Sequence, residues 1–344
     1  MRVHQYNKPK RSYRYYVLGA DIGGTNTALC IAGVSQKPEL LFSFHFKTRN
    51  LRSIIPALKQ VLDYAWKRGN IKVSAICLGA AGPVKGDKVK LFNASLSISA
   101  TEIRKKTGIK RIALINDFQL VGYGLSMLTP KDYLVVQNGK PVAKAPIAIL
   151  GAGTGLGTTL LRYDKSKQGY IPLPQEDGHA LFPVEHTSTK PLVRFIEKQK
   201  SRKVEYEDLV SGKGLENIYA YLKSTNKFSI TPVTKKIDHA HSKAIIISKY
   251  RKKDQTCKEV FRLFTKFYAQ AARNYAVKTM AQGGVYIAGG IAAKNKDIFK
   301  TRIFKQEFLN VNSAWLKKIP IKVILDKNVG LYGACIRAKE MLIL

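Results

Sequence analysis

The stretch VLGADIGGTNTALCIAGV, residues 17–34, returns in outline as AILGAGTGLGTTLL at residues 148–161. Each reads as a strand, a polar glycine-rich turn and a second strand. A tight hairpin turn needs only one or two glycines, so two such runs suggest a duplicated architecture whose halves each lend one backbone loop to a shared ligand. Turns such as Gly23–Asn26 and Gly151–Gly157 place backbone N–H groups with no side chain in the way, as phosphate oxygens require. Neither turn is followed by the Gly-Lys-Ser/Thr of a P-loop, and neither has the strand-to-helix context of a dinucleotide fingerprint. Asp21 closes the first strand, where a carboxylate could hold hydrated Mg²⁺ against phosphates; turn chemistry is the competing reading.

Outward from these units, residues 15–47 read as three consecutive antiparallel strands and 51–68 as a helix. SAICLGAAG and KVKLFN follow as short strands, then a helix near 100–107, the strand RIALI and a helix from Phe118. A second block opens near residue 130 with DYLVVQ, becomes mainly helical from 189 to 282, and returns to strand at VYIAGG, 285–290. IPIKVIL and a helix over 330–342 close the chain. Strands mixed with helices in this way give an α/β layer fold.

The chain has 344 residues, 45% of them hydrophobic, enough for two domains with a core each. No apolar run approaches the roughly 18 residues of a membrane helix, and the basic first fourteen residues lack a signal peptide's apolar stretch. A cytoplasmic protein is expected. Cys30, Cys77, Cys257 and Cys335 are far apart in sequence, so reduced thiols are expected rather than disulfides or a zinc site. Lys and Arg number 59 against 23 Asp and Glu, a formal charge of +36. The cations are spread along the whole chain, whereas a nucleic-acid domain would concentrate them. A solvated cationic surface is the reading preferred over a nucleic-acid partner.

In LINDF, Asn116 and Asp117 stand where a strand ends and a helix begins. Asp there is ordinarily an N-cap, yet strand ends in α/β sheets are also where ligands bind. EDGH contributes Glu176 and His179, and YEDLVSGKGL contributes Glu207. With Asn93 these are short neutral or anionic hydrogen-bonding groups, suited to an uncharged polyhydroxylated ligand.

Together these segments resemble the bacterial-type glucokinases of the hexokinase, Hsp70 and actin superfamily. The resemblance runs from about Val17 to the C-terminal helix, through DIGGTN, LINDF, GAGTGLG, EDGH with YEDLVSG, GGVYIAGGI and the closing NVGLYGA, in that order. It implies a duplicated actin-like (ribonuclease H-like) two-domain fold with a cleft, one domain formed by 1–127 plus 324–344 and the other by 128–323. It implies Asp117 as the base and Asn93, Asn116, Asp117, Glu176, His179 and Glu207 as sugar ligands. For the nucleotide it implies Ala20, Asp21, Ile22, Gly23, Gly24, Thr25 and Asn26, then Gly153, Thr154 and Gly155, then Gly289 and Gly290 against the adenine. ATP and Mg²⁺ at Asp21 complete the set, and a homodimer is a family expectation. Phosphoryl transfer agrees, since the protein mainly positions reactants and neutralises charge.

Two departures stand out: Asp177 where the family usually has a second glycine, and Lys213 in place of a common proline. Asp177 is expected to add charge beside the sugar. The related group with a zinc-binding cysteine cluster and DNA-binding helices is a poor match. Two alternatives to a glucokinase remain: a kinase for another hexose such as mannose or glucosamine, or a kinase-fold binding protein for an acidic partner. His239 and His241 read as loop residues rather than metal ligands. Phe261, Phe264, Phe267 and Tyr268, at helical spacing, read as core.

Overall fold

The computed structural model describes residues 2–6, 13–91 and 96–343; the expected sugar ligand Asn93 lies outside them. The chain divides into two compact units, Met1–Asp132 with Asp164–Pro174 and Asp326–Leu344, and Tyr133–Tyr163 with Gln175–Leu325.

In the first unit the strands are β1 (Arg2–Gln5), β2 (Tyr16–Ile22), β3 (Asn26–Gly33), β4 (Glu39–Lys47), β5 (Val73–Ala80), β6 (Val84–Lys85), β7 (Lys88–Lys90), β8 (Ser97–Ser99) and β9 (Arg111–Asn116). The main sheet has the order β1-β4-β3-β2-β5-β9, and β6-β7-β8 form a small separate one. As expected, β2, β3 and β4 are successive antiparallel strands, while β5 and β9 join in parallel. Alternation along the strands serves two cores. Leu18, Ala20, Ile22, Leu29 and Ile31 face one core with Leu58 and Val61 of helix α1 (Ile55–Gly69). Val17, Cys30 and Ala32 face the other with Leu331, Ala334 and Cys335 of the C-terminal helix, Val329–Ile343. All four cysteines are buried free thiols. Helix α2 (Ala100–Thr107) precedes β9, and α3 (Asp117–Gly124) follows it directly.

The second unit holds β10 (Tyr133–Gln137), β11 (Ile147–Ala152) and β12 (Leu156–Asp164). After β13 (Gly169–Gln175) come β14 (Gly284–Ala288) and β15 (Ile321–Ile324). Its sheet includes the run β10-β15-β14-β11-β12. The pairing of the first unit recurs: a hairpin, β11 with β12, is antiparallel, and two strands from later in the chain add in parallel, β14 on β11 and β15 on β14. The helices are α4 (Lys190–Lys200), α5 (Gly212–Ser224), α6 (Pro232–Asp238), α7 (Lys243–Tyr250), α8 (Gln255–Lys278), α9 (Gly290–Lys294) and α10 (Arg302–Phe308). Asp254 caps α8 by accepting from the Cys257 N–H at 3.0 Å. Phe261, Phe264, Phe267 and Tyr268 are buried as expected. Tyr268 meets Phe299 edge-on with ring centroids 5.2 Å apart, a pairing worth about 0.5–1.5 kcal/mol beyond its buried area.

Candidate active site

In the first unit β2 delivers Asp21 to the start of its glycine turn. Gly23 N–H donates to Asn26 O at 3.0 Å and Thr48 N–H to Thr25 O at 3.1 Å, while the Thr48 hydroxyl donates to Gly23 O at 2.7 Å. Thr48, one residue past β4, is thus the brace of the turn; local sequence carried no signal for it. Asn26 is exposed, and its Oδ1 accepts from Lys47 Nζ at 2.8 Å. The Asp21 carboxylate is half-buried, and loss of water raises its pKa from 3.8 to about 6, with no hydrogen bond contributing. A Cβ on Gly330 would stand 2.3 Å from Asp21 Oδ2, so any larger residue there would displace the carboxylate. This gives NVGLYGA a physical reason.

A carboxylate that is desolvated with no hydrogen bond from the described residues offsetting it is what a cation-bound form would relieve. Mg²⁺ commonly takes one or two carboxylates and keeps waters and phosphate oxygens for the rest, so Asp21 suits it.

At the end of β9, Asn116 rather than Asp117 caps α3. Asn116 Oδ1 accepts from the Phe118 N–H at 2.8 Å, and Gln119 Oε1 accepts from the Asn116 N–H at 3.1 Å, a capping box. Asp117 stands at the first helical position, half-buried, and its Oδ1 also accepts from Phe118 N–H, at 3.0 Å. Anions are favoured at a helix N-terminus. Gln119 Nε2 donates onward to Pro172 O at 3.0 Å, fixing the first turn on which Asp117 rides.

In the second unit, the 153–155 turn is tied from three sides. Gly153 N–H donates to Gly155 O at 2.8 Å, and Gly153 O accepts from Gly212 N–H at 2.9 Å. Ala152 N–H donates to the buried Tyr268 hydroxyl at 2.9 Å. Leu156 N–H donates to Glu207 Oε2 at 3.0 Å, and a Cβ on Gly155 would be 2.1 Å from the same oxygen. The expected phosphate loop and the expected sugar carboxylate therefore share one hydrogen bond. Gly289 has φ +91°, and a Cβ there would lie 2.6 Å from Ala152 O; one on Gly290 would meet nothing within 4 Å. An open backbone surface results beside the first loop residues.

Glu176 precedes a short 3₁₀ turn, Asp177–His179, and His179 ends it. Burial holds the Glu176 proton more tightly than usual, with Glu207 and Asp177 adding to it and His179 opposing. His179 Nδ1 is 3.0 Å from Glu205 Oε2, and that hydrogen bond raises its pKa. The charge of Asp177, expected to bear on the sugar, is paired with Lys278. Elsewhere, His239 Nδ1 is 2.8 Å from Lys235 O. Glu185, His186 and Glu307 group closely enough for a metal, but the buried Arg273 guanidinium contacts both carboxylates and supplies the cation. A 590 Å³ cavity lined by Phe228, Arg251, Lys258, Arg262 and Asp297, among others, contains none of the expected site residues.

Two sheets with the same pairing scheme, each with a glycine-rich hairpin, constitute the actin-like two-domain ATPase fold. Solved structures share it: a glucokinase from an Antarctic psychrotroph has a TM-score of 0.79 and 24% identity, over 94% of this chain and 99% of that one. A ROK family glucokinase from Streptomyces griseus, in complex with glucose and AMPPNP, has a TM-score of 0.66 and 17% identity over 94% and 99%. The family profile for Glucokinase matches residues 18–341. The glucokinase of Nostoc punctiforme is 31% identical over 94% of this chain and 99% of that protein. The chain belongs to the glucokinase family, and it is a kinase that phosphorylates a sugar. Among the described residues no helix is long and apolar enough to cross a membrane.

Proposed function

We propose that this enzyme transfers the γ-phosphoryl group of ATP to the 6-hydroxyl of glucose, with Asp117 as general base. The observation that carries this reading is the place of Asp117: it stands half-buried at the first position of α3, directly after β9, while Asn116 and Gln119 form the capping box, and strand ends of α/β sheets are where ligands bind. In the transfer, Asp117 takes the proton of the 6-hydroxyl as its oxygen bonds to the γ-phosphorus, and the bond to the bridging oxygen breaks. The products are glucose 6-phosphate, ADP and a protonated Asp117.

Glu176 and Glu207 accept hydrogen bonds from sugar hydroxyls, and His179, steadied by Glu205, orients another. Asn116 is assigned to the sugar as well, and Asn93, outside the described residues, is assigned to it by the family resemblance alone. Backbone N–H groups of 23–26 and 153–155, with the hydroxyls of Thr25 and Thr154, hold phosphates, and Gly289–Gly290 offers bare backbone to the adenine. Mg²⁺ at Asp21, when bound, neutralises phosphate charge. The Streptomyces griseus relative, whose structure holds glucose and the ATP analogue AMPPNP, supports the substrate pair. A coupled assay on the purified protein, comparing kcat/KM for glucose, mannose and glucosamine, tests the choice of sugar. Glucose is expected to lead, and an equal or higher value for either competitor would overturn that choice.

A further inference from the structure

The turn that carries Glu176 and His179 packs tightly on one side through Gly178, whose added Cβ would lie 2.2 Å from Leu156 O. Beside it lies a 270 Å³ cavity whose lining includes Leu156, Thr158, Asp177, Tyr206, Tyr275 and Lys278. Tyr275, only 4% exposed, forms part of its wall. On the cavity side, polar ties hold the turn. Asp177 supplies two of them. Its N–H donates to Thr158 Oγ1 at 3.3 Å, and its carboxylate, 13% exposed, pairs with Lys278 in the last turn of α8.

We propose that Lys278 and Asp177 form a latch that sets the Glu176–His179 turn, making Lys278 a positioning residue for sugar recognition. The inference rests on the sugar-binding role proposed for that turn. The latch serves geometry and charge together. It anchors the turn to the longest helix of the unit, and it cancels a carboxylate that would otherwise add to Glu176 and Glu207. A glycine at 177 would need no such partner; with Asp177 present, Lys278 becomes necessary. The charged groups facing Glu176 are His179, Glu207 and Asp177, with Glu205 behind His179 and Lys278 behind Asp177.

Truncating one member of a pair whose carboxylate is largely buried and whose ammonium is exposed falls between the surface and buried cases, so Lys278→Met should raise the sugar KM about tenfold. The nucleotide KM and kcat should hold within about twofold. With Asp177 unpaired, Glu176 keeps its proton to higher pH, so the acid limb of kcat/KM for the sugar should move upward. Lys278→Arg should restore the wild-type KM. The double variant Asp177→Gly/Lys278→Met should be no worse than Lys278→Met, because both changes break the same pair. An unchanged sugar KM in Lys278→Met, or a double variant in which the two effects add, would overturn the latch. Glu176→Gln separates the two levels. If it raises the sugar KM while Lys278→Met does not, the latch alone fails; if it leaves the KM unchanged, the sugar-binding role of the turn fails and the latch with it.

Discussion

Gly155→Ala probes the point where the proposed phosphate loop and the proposed sugar carboxylate share a bond. The added methyl would lie 2.1 Å from Glu207 Oε2 and 2.9 Å from its Cδ, so the carboxylate must swing aside. Doing so gives up the 3.0 Å hydrogen bond from Leu156 N–H. A hydrogen bond to a charged acceptor contributes roughly 1.5–3 kcal/mol. The obstacle is the far end of a flexible side chain, so the fold should tolerate the change and the loss should appear in substrate binding. At about 1.4 kcal/mol per decade, the sugar KM should rise roughly 10- to 100-fold. Gly153→Ala is the control for stability, since its Cβ would meet no atom within 4 Å. The assay is sugar KM with thermal melting of both variants. A Gly155→Ala enzyme with sugar KM within twofold of wild type, when Glu207→Gln raises it, would refute the shared-bond reasoning.

Asp21→Asn should stabilise the protein in Mg²⁺-free buffer while abolishing activity. The folded carboxylate titrates near 6 rather than 3.8, so the ionised form opposes folding above pH 6, by up to about 3 kcal/mol. That cost fades as pH falls from 6 to 4. The Tm gain of the variant should therefore be largest at neutral pH and vanish below pH 4, and a gain independent of pH would contradict the assignment. Tyr268→Phe removes the acceptor of the Ala152 N–H. A buried unpaired N–H costs about 1–3 kcal/mol, so Tm should fall by a few degrees, and an unchanged melting curve would show the bond to be dispensable.

The paired hairpins at 17–34 and 148–161 were legible because strand alternation and glycine turns are local signals. So were the aromatic stripe of α8 and the buried thiols. Strand β13, Gly169–Gln175, was not, since Pro172 and Pro174 argue against a strand. Nor was β1, four exposed residues whose strand character comes from pairing with β4. For the candidate site, motif order and the family resemblance singled out Asp21, Asp117, Glu176, His179 and Glu207. What they could not show was the support: Thr48 under the first turn, Gly330 beside Asp21, Tyr268 under Ala152, Lys278 on Asp177. Each is brought in by chain folding from 25 to more than 300 residues away, a separation over which no periodicity reports. The N-cap was misplaced by one residue, because Asn116 and Asp117 are both good caps and only backbone geometry chooses between them.

Glucose phosphorylation by MgATP with purified Asp117→Ala beside wild type tests the central claim most directly. Wild type is expected to turn over, and the variant, its α3 still capped by Asn116 and its melting curve still cooperative, should lose kcat roughly a hundredfold or more. A folded variant that keeps near-wild-type kcat would show that Asp117 is not the base.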